Sequence, residues 1–292
     1  MSPAIPAHDP AIRSIRARKD HCCYGMGLGI IILDDVYPGF PGDVRNAIAY
    51  PFPIQYEIAE GVDIKQLVRG EDKGVLLRPV LAAARKLEHM RCRAIAAECG
   101  YFAWFQNEIA AAENVPVFSS SLMQVPMAQT LIGSDRVVGI PVSESNELHD
   151  RHLTSVGVQL GSNYVVGGAM DDGKCPQFNS LWTKDLRPDI PTADYAEAER
   201  ELLSVAREFA AGHPSMGAMV LECTGFRPFA RAIQHEIDMP VFSWSTLLDY
   251  AYSVSAHRDF YGHVQDFNDL QSPEPSMFFG ERTLTAVLFP PS

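Results

Sequence analysis

The chain has 292 residues, of which 47% are apolar and 21% are charged. This balance is typical of a soluble globular protein with room for two hydrophobic cores. A formal net charge of -12 argues against nucleic acid or an anionic membrane as the main partner, and no apolar run approaches the roughly 20 residues of a membrane-spanning helix. Six cysteines are too few for a disulfide scaffold, so reduced thiols and a cytoplasmic location are expected.

The first half of the chain alternates between short apolar runs and helical patterns. Residues 1–24 are polar and irregular, which predicts a loose N-terminal arm. Strands are predicted at 25–33, 53–61, 93–99 and 115–118. Helices are predicted over 73–91 and 101–113, where apolar residues recur at helical spacing.

The second half of the chain repeats this alternation. Strands are predicted at 136–142, 163–170, 217–223 and 240–243. Helices are predicted over 146–156, 194–211, 226–236 and 246–257, with Asp194 as an N-cap. A polar, proline-containing loop is expected at 171–192.

Alternation of strands and helices predicts an α/β fold with parallel sheets, because parallel neighbours need crossover helices. A single eight-stranded sheet or barrel is one arrangement. The internal repeat described below favours two pseudo-symmetric lobes, each a mostly parallel four-stranded sheet flanked by helices, with the site in the cleft between them. We expect lobe 1 at 25–134, joined by a return of 246–292, and lobe 2 at 135–245.

The repeat joins "ECGYFAWFQNEIAAAENVPVFSSS" at 98–121 with "ECTGFRPFARAIQHEIDMPVFSWS" at 222–245. Without a gap, the two segments agree at ten of 24 positions, whereas average composition predicts about one or two matches. The shared phenylalanines and isoleucine lie at the spacing of one helix face, so most of the likeness reflects one strand–helix–strand unit used twice.

Packing alone does not explain the paired cysteines, Cys99 and Cys223. Each follows a predicted strand and precedes a helix, and ligands of open α/β sheets bind beyond the carboxyl ends of strands. A helix N-terminus lowers a thiol pKa from about 8.5 towards neutrality. Two such thiols on opposite sides of a substrate suit proton removal and delivery at one carbon. The alternative is that both are small buried residues, as we expect for Cys22, Cys23, Cys92 and Cys175.

With these features the chain resembles the aspartate/glutamate racemase superfamily, which includes glutamate, aspartate and hydantoin racemases, maleate isomerase and arylmalonate decarboxylase. The likeness rests on the two cysteines, on "LECTGF" around Cys223 and on the order of elements. The opening "GIIILDDVYPGFPGDVRNAIAYPFPI" is similar to a racemase-like branch. The resemblance implies Cys99 and Cys223 as the acid/base pair, without metal, nucleotide or pyridoxal phosphate. It also implies a homodimer as one assembly.

The resemblance also implies substrate contacts beside each cysteine. In the superfamily the first cysteine is commonly followed by Asn-Thr, which holds the substrate carboxylate, whereas this chain has Gly100 and Tyr101. The second is commonly followed by Thr and a small or basic residue, here Thr224 and Gly225. Loss of the Asn-Thr pair argues against glutamate or aspartate as the substrate, although backbone N–H groups at a helix start bind carboxylates whatever the side chain.

Further polar residues lie near the predicted strand ends. Asp34 ends strand one, where an acid can bind a substrate ammonium group, and Asn46 lies in the following Pro/Gly-rich loop. Ser119 and Ser143 also follow strands, where helix capping is the alternative role. Alternation along a strand predicts that Glu98 and Glu222 point away from the site and are buried and paired.

Together these features predict a cofactor-independent racemase or isomerase of a small carboxylate, such as an amino acid or a related compound. Cys99 and Cys223 exchange the proton at the carbon next to the carboxylate. Cis–trans isomerisation or carbon–carbon bond cleavage with one cysteine as nucleophile is the first alternative. The second is a small-molecule-binding protein whose cysteines only pack.

Overall fold

Parallel strands form the centre of the protein in the computed structural model, which describes Ser14 and residues 26–182 and 192–257. Within this part of the chain, eight strands form two four-stranded sheets. They are Leu28–Leu33 (β1), Ile54–Ala59 (β2), Ala94–Ala97 (β3), Val117–Phe118 (β4), Val137–Val142 (β5), Tyr164–Gly168 (β6), Met216–Val220 (β7) and Val241–Phe242 (β8). The order is β2-β1-β3-β4 in one sheet and β6-β5-β7-β8 in the other. Every pairing is parallel, so the predicted two-sheet α/β fold is confirmed.

Helices connect the strands. The α-helices of the described residues are Ile64–Arg69 (α1), Leu77–His89 (α2), Gln106–Ala112 (α3), Val125–Ile132 (α4), Asp150–Thr154 (α5), Pro176–Trp182 (α6), Tyr195–Gly212 (α7), Ala230–Ile237 (α8) and Trp244–Ser255 (α9). The predicted cap at Asp194 is present, because its carboxylate accepts a hydrogen bond from the Glu197 backbone N–H at 2.9 Å. The expected loop at 171–192 is wrong in part, because α6 forms within it and packs its apolar face into the second lobe.

Alternation along β1 explains how the first sheet is covered on both faces. Ile31 and Leu33 pack in a buried cluster with residues of α2, whereas Leu28 and Ile30 pack on the other face with Trp244 of α9. A strand that is buried on both faces has a continuous run of apolar residues, as in "LGIIIL" of β1. The chain after residue 243 therefore returns to the first sheet through α9. The arm at 1–24, apart from Ser14, and residues 258–292 lie outside the described residues.

The repeated unit has the same local structure in both sheets. After β3 and β7, the chain continues into 3₁₀ helices at Gly100–Phe105 and Thr224–Phe229 and then into α3 and α8. Cys99 and Cys223 are the N-cap residues of these 3₁₀ helices. The matching phenylalanines, Phe102, Phe105, Phe226 and Phe229, are fully buried. The repeat thus places each cysteine at a strand end by the same packing.

Candidate active site

A pocket between the two sheets contains both repeat cysteines. The first lobe contributes α1 together with Cys99 and Tyr101, and the second contributes residues that follow β5, β6 and β7. The lining residues are Ile64, Lys65, Val68, Arg69, Cys99, Tyr101, Ser143, Glu144, Met170, Trp182, Glu222, Cys223 and Thr224. Among the predicted site residues, the structure therefore brings together Cys99, Tyr101, Ser143, Cys223 and Thr224.

The two thiols lie at helix starts, as expected, but their pKa values change in the opposite direction. Cys99 is 7% exposed, and burial, followed by the charge of Glu222, raises the pKa of its thiol well above the usual value. The same two causes raise the pKa of Cys223. Backbone N–H groups of Tyr101 and Gly225 oppose the increase at the respective thiols. The expected decrease is wrong because burial and a neighbouring acid outweigh the helix start.

Glu222 is the acid beside both thiols. Its side chain is fully buried. Neither carboxylate oxygen accepts a hydrogen bond of normal length and angle from the described residues. Burial raises its pKa to about 8, an increase that the Ser143 backbone N–H partly opposes. The prediction that Glu222 points away from the site and is paired is wrong. The carboxylate of Glu222 lies against Gly100 of the other lobe, and Glu222 is one of the residues that line the pocket.

Glu98, the equivalent residue of the first lobe, is buried and paired as predicted. Its carboxylate accepts hydrogen bonds from the Arg45 Nε and the Tyr37 hydroxyl, each at 2.6 Å, and from the Leu33 backbone N–H at 2.8 Å. The Arg45 guanidinium also binds the backbone carbonyls of Leu33 and Asp35. Glu98 therefore fixes the loop after β1 and does not line the pocket.

Gly100 and Gly225 are explained by close packing. A Cβ atom on Gly100 would lie 2.0 Å from the Glu222 Oε1 and 2.7 Å from the Glu222 backbone oxygen. A Cβ atom on Gly225 would lie 2.6 Å from the Trp182 ring and 2.8 Å from the Phe178 ring. Neither glycine lines the pocket itself. Gly100 makes room for the Glu222 carboxylate, and Gly225 makes room for the aromatic wall that supports Trp182.

The remaining side chains at the cysteine end are held in defined positions. The Tyr101 hydroxyl donates to the Glu144 backbone carbonyl at 2.9 Å, and the Ser143 hydroxyl donates to the Tyr101 hydroxyl at 3.3 Å. The pKa of Tyr101 is raised by burial and by Glu222. Tyr101 thus links the first lobe to the segment after β5 and presents its ring to the pocket.

Besides the two glycines, three predicted site residues lie outside the pocket. Asp34 is exposed and accepts a hydrogen bond from the Gly61 backbone N–H at 2.9 Å, so it fixes the turn after β2. Asn46 caps a short 3₁₀ helix through the Ile48 N–H at 3.2 Å. Ser119 is fully buried, and its backbone N–H donates to the Gln106 side chain at 3.1 Å. The structure does not bring these side chains to the pocket. Those of Asp34 and Asn46 serve the local fold, and the Ser119 hydroxyl is buried outside the pocket without a hydrogen-bond partner among the described residues.

Charged residues of α1 line the pocket and were missed from the sequence. Lys65 is exposed, and Arg69 forms an ion pair with Glu144 at 2.7 Å. Met170 and Trp182 were missed as well. A signal for α1 was present, because Asp63 and Gln66 form a capping box in which the carboxylate accepts from the Gln66 N–H at 2.8 Å.

The described residues were compared with the requirements of a metal cluster and of a membrane-spanning helix. No group of three or more His, Cys, Asp or Glu residues there is arranged to hold a metal ion. None of the helices described is both long enough and apolar enough to cross a membrane.

Sequence comparison finds lyases. No model of a known protein family matches the chain. A dimethylsulfoniopropionate lyase from Durusdinium sp. clade D is 27% identical over 229 residues, which cover 77% of this chain and 73% of that protein. Dimethylsulfoniopropionate lyase 5 from Emiliania huxleyi (strain CCMP1516) is 24% identical over 80% of this chain but only 46% of its own length. The match therefore spans less than half of the second relative.

Comparison of structures finds racemases and a decarboxylase. Unliganded arylmalonate decarboxylase matches 82% of this chain and 97% of its own, with 14% identity and a TM-score of 0.49. An aspartate racemase homologue from Pyrococcus horikoshii OT3 matches 77% and 98%, with 15% identity and a TM-score of 0.46. Glutamate racemase from Campylobacter jejuni matches 80% and 88%, with 15% identity and a TM-score of 0.46. All three are members of the aspartate/glutamate racemase superfamily.

Proposed function

We propose that this protein is a lyase that eliminates a leaving group from a small carboxylate, with a cysteine thiolate of the pocket as the base. The observation that carries the assignment of a cysteine as the base is that Cys99 and Cys223 line one pocket. The names of the sequence relatives favour elimination over racemisation, and they suggest dimethylsulfoniopropionate as the substrate.

The proposed reaction follows from the structure of that compound. A thiolate removes a proton from the carbon next to the carboxylate, and the freed electron pair forms a double bond to the next carbon. The carbon–sulfur bond breaks, and the sulfur keeps the bonding pair and leaves as neutral dimethyl sulfide. Acrylate remains, and the thiol returns its proton to water. The broken bond is carbon–sulfur, and not the carbon–carbon bond of the lyase alternative considered from the sequence.

This reaction makes a different demand on the thiols than racemisation does. Dimethyl sulfide leaves without protonation, so the elimination needs only one base. Racemisation needs a base on one side of the carbon and an acid on the other, so it needs both thiols. Two-thiol racemisation of a small carboxylate is the second candidate, and the meeting of both repeat cysteines in one pocket favours it.

The proposal is tested by the release of dimethyl sulfide from dimethylsulfoniopropionate, measured in the headspace. We expect release by the unaltered protein and a loss of at least about 100-fold in Cys99→Ser or in Cys223→Ser, because a positioned base contributes about this much or more. Cys175→Ser is the matched control, since this buried thiol lies outside the pocket.

Other outcomes separate the candidates. Inversion with deuterium uptake at the carbon next to the carboxylate, lost in both single cysteine variants, would replace elimination by racemisation. If neither cysteine substitution changes the turnover of a carboxylate, the assignment of the thiols is wrong. Binding of carboxylates without any turnover would favour a binding protein.

A further inference from the structure

Glu222 is an acid that the proposed elimination does not use. It is fully buried, it lines the pocket, and both of its carboxylate oxygens are without a regular hydrogen-bond partner among the described residues. A buried carboxylate normally accepts hydrogen bonds, because an unsatisfied one costs stability. A buried carboxylate without hydrogen bonds at a ligand pocket indicates that its partner is a group of the ligand.

The position of Glu222 is fixed by its surroundings. Its backbone N–H donates to the Pro141 carbonyl at 3.2 Å, and its own carbonyl accepts from the Trp244 indole N–H at 2.7 Å. The carboxylate lies against Gly100, where even a methyl group would collide with it. The carboxylate is therefore held in place against the other lobe, on a residue that lines the pocket.

The described residues supply no cation to this carboxylate. The causes that change the pKa of Glu222 are burial and the Ser143 backbone N–H, and no cationic side chain is among them. Arg69 is paired with Glu144, and Lys65 lies on the exposed side of α1. The pocket thus has cationic groups on α1 and the Glu222 carboxyl beside the cysteines. These opposite charges at two places complement the two charges of a zwitterion.

The pocket walls favour methyl groups around the cation. Among the apolar side chains that line the pocket, Met170 and Trp182 belong to the second lobe, as Glu222 does. A primary ammonium has three N–H groups that each need an acceptor, whereas a methylated sulfonium or ammonium needs a negative charge and apolar contact. An aromatic ring such as that of Trp182 also attracts such cations.

We propose that Glu222 binds the methylated cationic group of the substrate, so that the pocket selects zwitterions with a carboxylate at one end and a methylated sulfonium or ammonium at the other. The inference rests on the proposed function for the carboxylate end of the ligand. It assigns Glu222 to recognition of the cationic end and extends the ligands to methylated ammonium zwitterions.

Binding of such a cation is coupled to the release of a proton. At neutral pH, burial keeps the Glu222 carboxyl protonated, since its pKa is raised to about 8. The arriving cation favours the charged form and displaces the proton. The titratable or charged groups around Glu222 and along the pocket are Cys99, Tyr101, Cys223, Lys65, Arg69 and Glu144.

The test compares three carboxylates that lack the sulfonium leaving group. They are 3-(trimethylammonio)propionate, its uncharged isostere 4,4-dimethylpentanoate, and 3-aminopropionate, which carries a primary ammonium. Calorimetry on the full chain at about pH 9 should show the methylated cation binding at least about tenfold more tightly than either of the others, as expected for one close charge pair. In Glu222→Gln this preference should fall below about threefold.

Two controls make the result specific. Glu113→Gln removes another carboxyl whose pKa is raised, to about 7, but which lies outside the pocket, and it should keep the preference. In the unaltered protein at about pH 7, calorimetry in buffers of different ionisation enthalpy should show close to one proton released with the methylated cation and close to none with the isostere. The second measurement needs no variant to fold.

The outcomes separate this inference from the proposed function. Equal binding of the methylated cation and its isostere, or an unchanged preference in Glu222→Gln, overturns the role of Glu222 even if dimethyl sulfide is released. Tighter binding of 3-aminopropionate overturns the methylated class. A preference that depends on Glu222 supports the inference even if no elimination occurs, in which case the proposed reaction alone fails.

Discussion

The two Glu-Cys dipeptides occupy equivalent positions in the two sheets, but their glutamates have opposite surroundings. Glu98 is bound by Arg45, Tyr37 and the Leu33 backbone. Glu222 has no regular hydrogen-bond partner among the described residues and lies in the pocket wall. The same residue type in the same local structure is thus a structural ion pair in one lobe and an unpaired acid in the other. The packing of the repeat explains where the cysteines lie, whereas contacts with other parts of the chain explain the different surroundings of the glutamates.

The largest expected difference concerns the pH dependence of stability. Burial raises the pKa of Glu222 from 4.5 to about 8. Between these values the unfolded chain has lost a proton that the folded chain keeps, so the free energy of unfolding falls as pH rises, by on the order of 4 kcal/mol. In Glu222→Gln, this part of the fall in the free energy of unfolding with pH should be absent. Urea unfolding at about pH 5 and about pH 9 measures it, and identical pH dependence of both proteins would contradict it.

The next largest effect is expected at the paired glutamate. Glu98→Gln leaves the Arg45 guanidinium, which is 21% exposed, without its charge partner, and we expect a loss of about 3 kcal/mol in the free energy of unfolding. At about pH 6 the Glu222 carboxyl is already neutral, so Glu222→Gln should change the free energy of unfolding by less than about 1 kcal/mol. Glu57→Gln is the control, because its partner Lys86 is 51% exposed and such pairs contribute about 0–1 kcal/mol. Equal losses at both repeat glutamates would remove the contrast.

A smaller effect is expected at Gly100. The added methyl group of Gly100→Ala would lie 2.7 Å from the Glu222 backbone oxygen as well as 2.0 Å from its carboxylate, so rotation of the side chain alone does not relieve the collision. We expect a cost of about 2 kcal/mol, measured by chemical unfolding. Gly212→Ala is the matched control, since nothing lies within 4 Å of its added Cβ. A loss no larger than that of the control would place Glu222 elsewhere.

The smallest effect concerns thiol reactivity. The charge of Glu222 is the second cause, after burial, that raises the pKa of Cys99 and Cys223. At about pH 9, Glu222→Gln should therefore increase their rate of alkylation by iodoacetamide by about three- to tenfold, because more of each thiol is thiolate. Mass spectrometry identifies the modified residues. Cys175, whose pKa is raised to about 12 by burial and by other acids, should keep its rate, and a general acceleration would indicate loosening of the fold.

Local patterns predicted the fold and the thiols well. The apolar runs and the ten matching positions located both sheets and placed Cys99 and Cys223 at equivalent strand ends, as found. These features depend on residues near one another in the chain. Helix α1 was missed, although its capping box, Asp63 with Gln66, is a local signal.

The electrostatics of the site depended on contacts between lobes, which the sequence does not display. A helix start predicted thiols with a lowered pKa, but Glu222 and burial reverse the direction. Strand alternation placed Glu222 on the face away from Cys223, but it did not reveal that Gly100 of the other lobe covers this face. Asp34 and Asn46 were reasonable by position, yet a turn and a cap within their own lobe use them. Ser119 is buried outside the pocket, where its backbone N–H donates to the Gln106 side chain.

The anchoring of the backbone around Glu222 constrains how molecules enter and leave the pocket. The Ser121 hydroxyl donates to the Leu221 carbonyl, and the Trp244 indole donates to the Glu222 carbonyl. Trp244 packs on the first sheet, so hinge opening at this end would break both bonds. We therefore expect the cysteine end to stay closed throughout turnover, with substrate and product passing on the α1 side, where Lys65 is exposed.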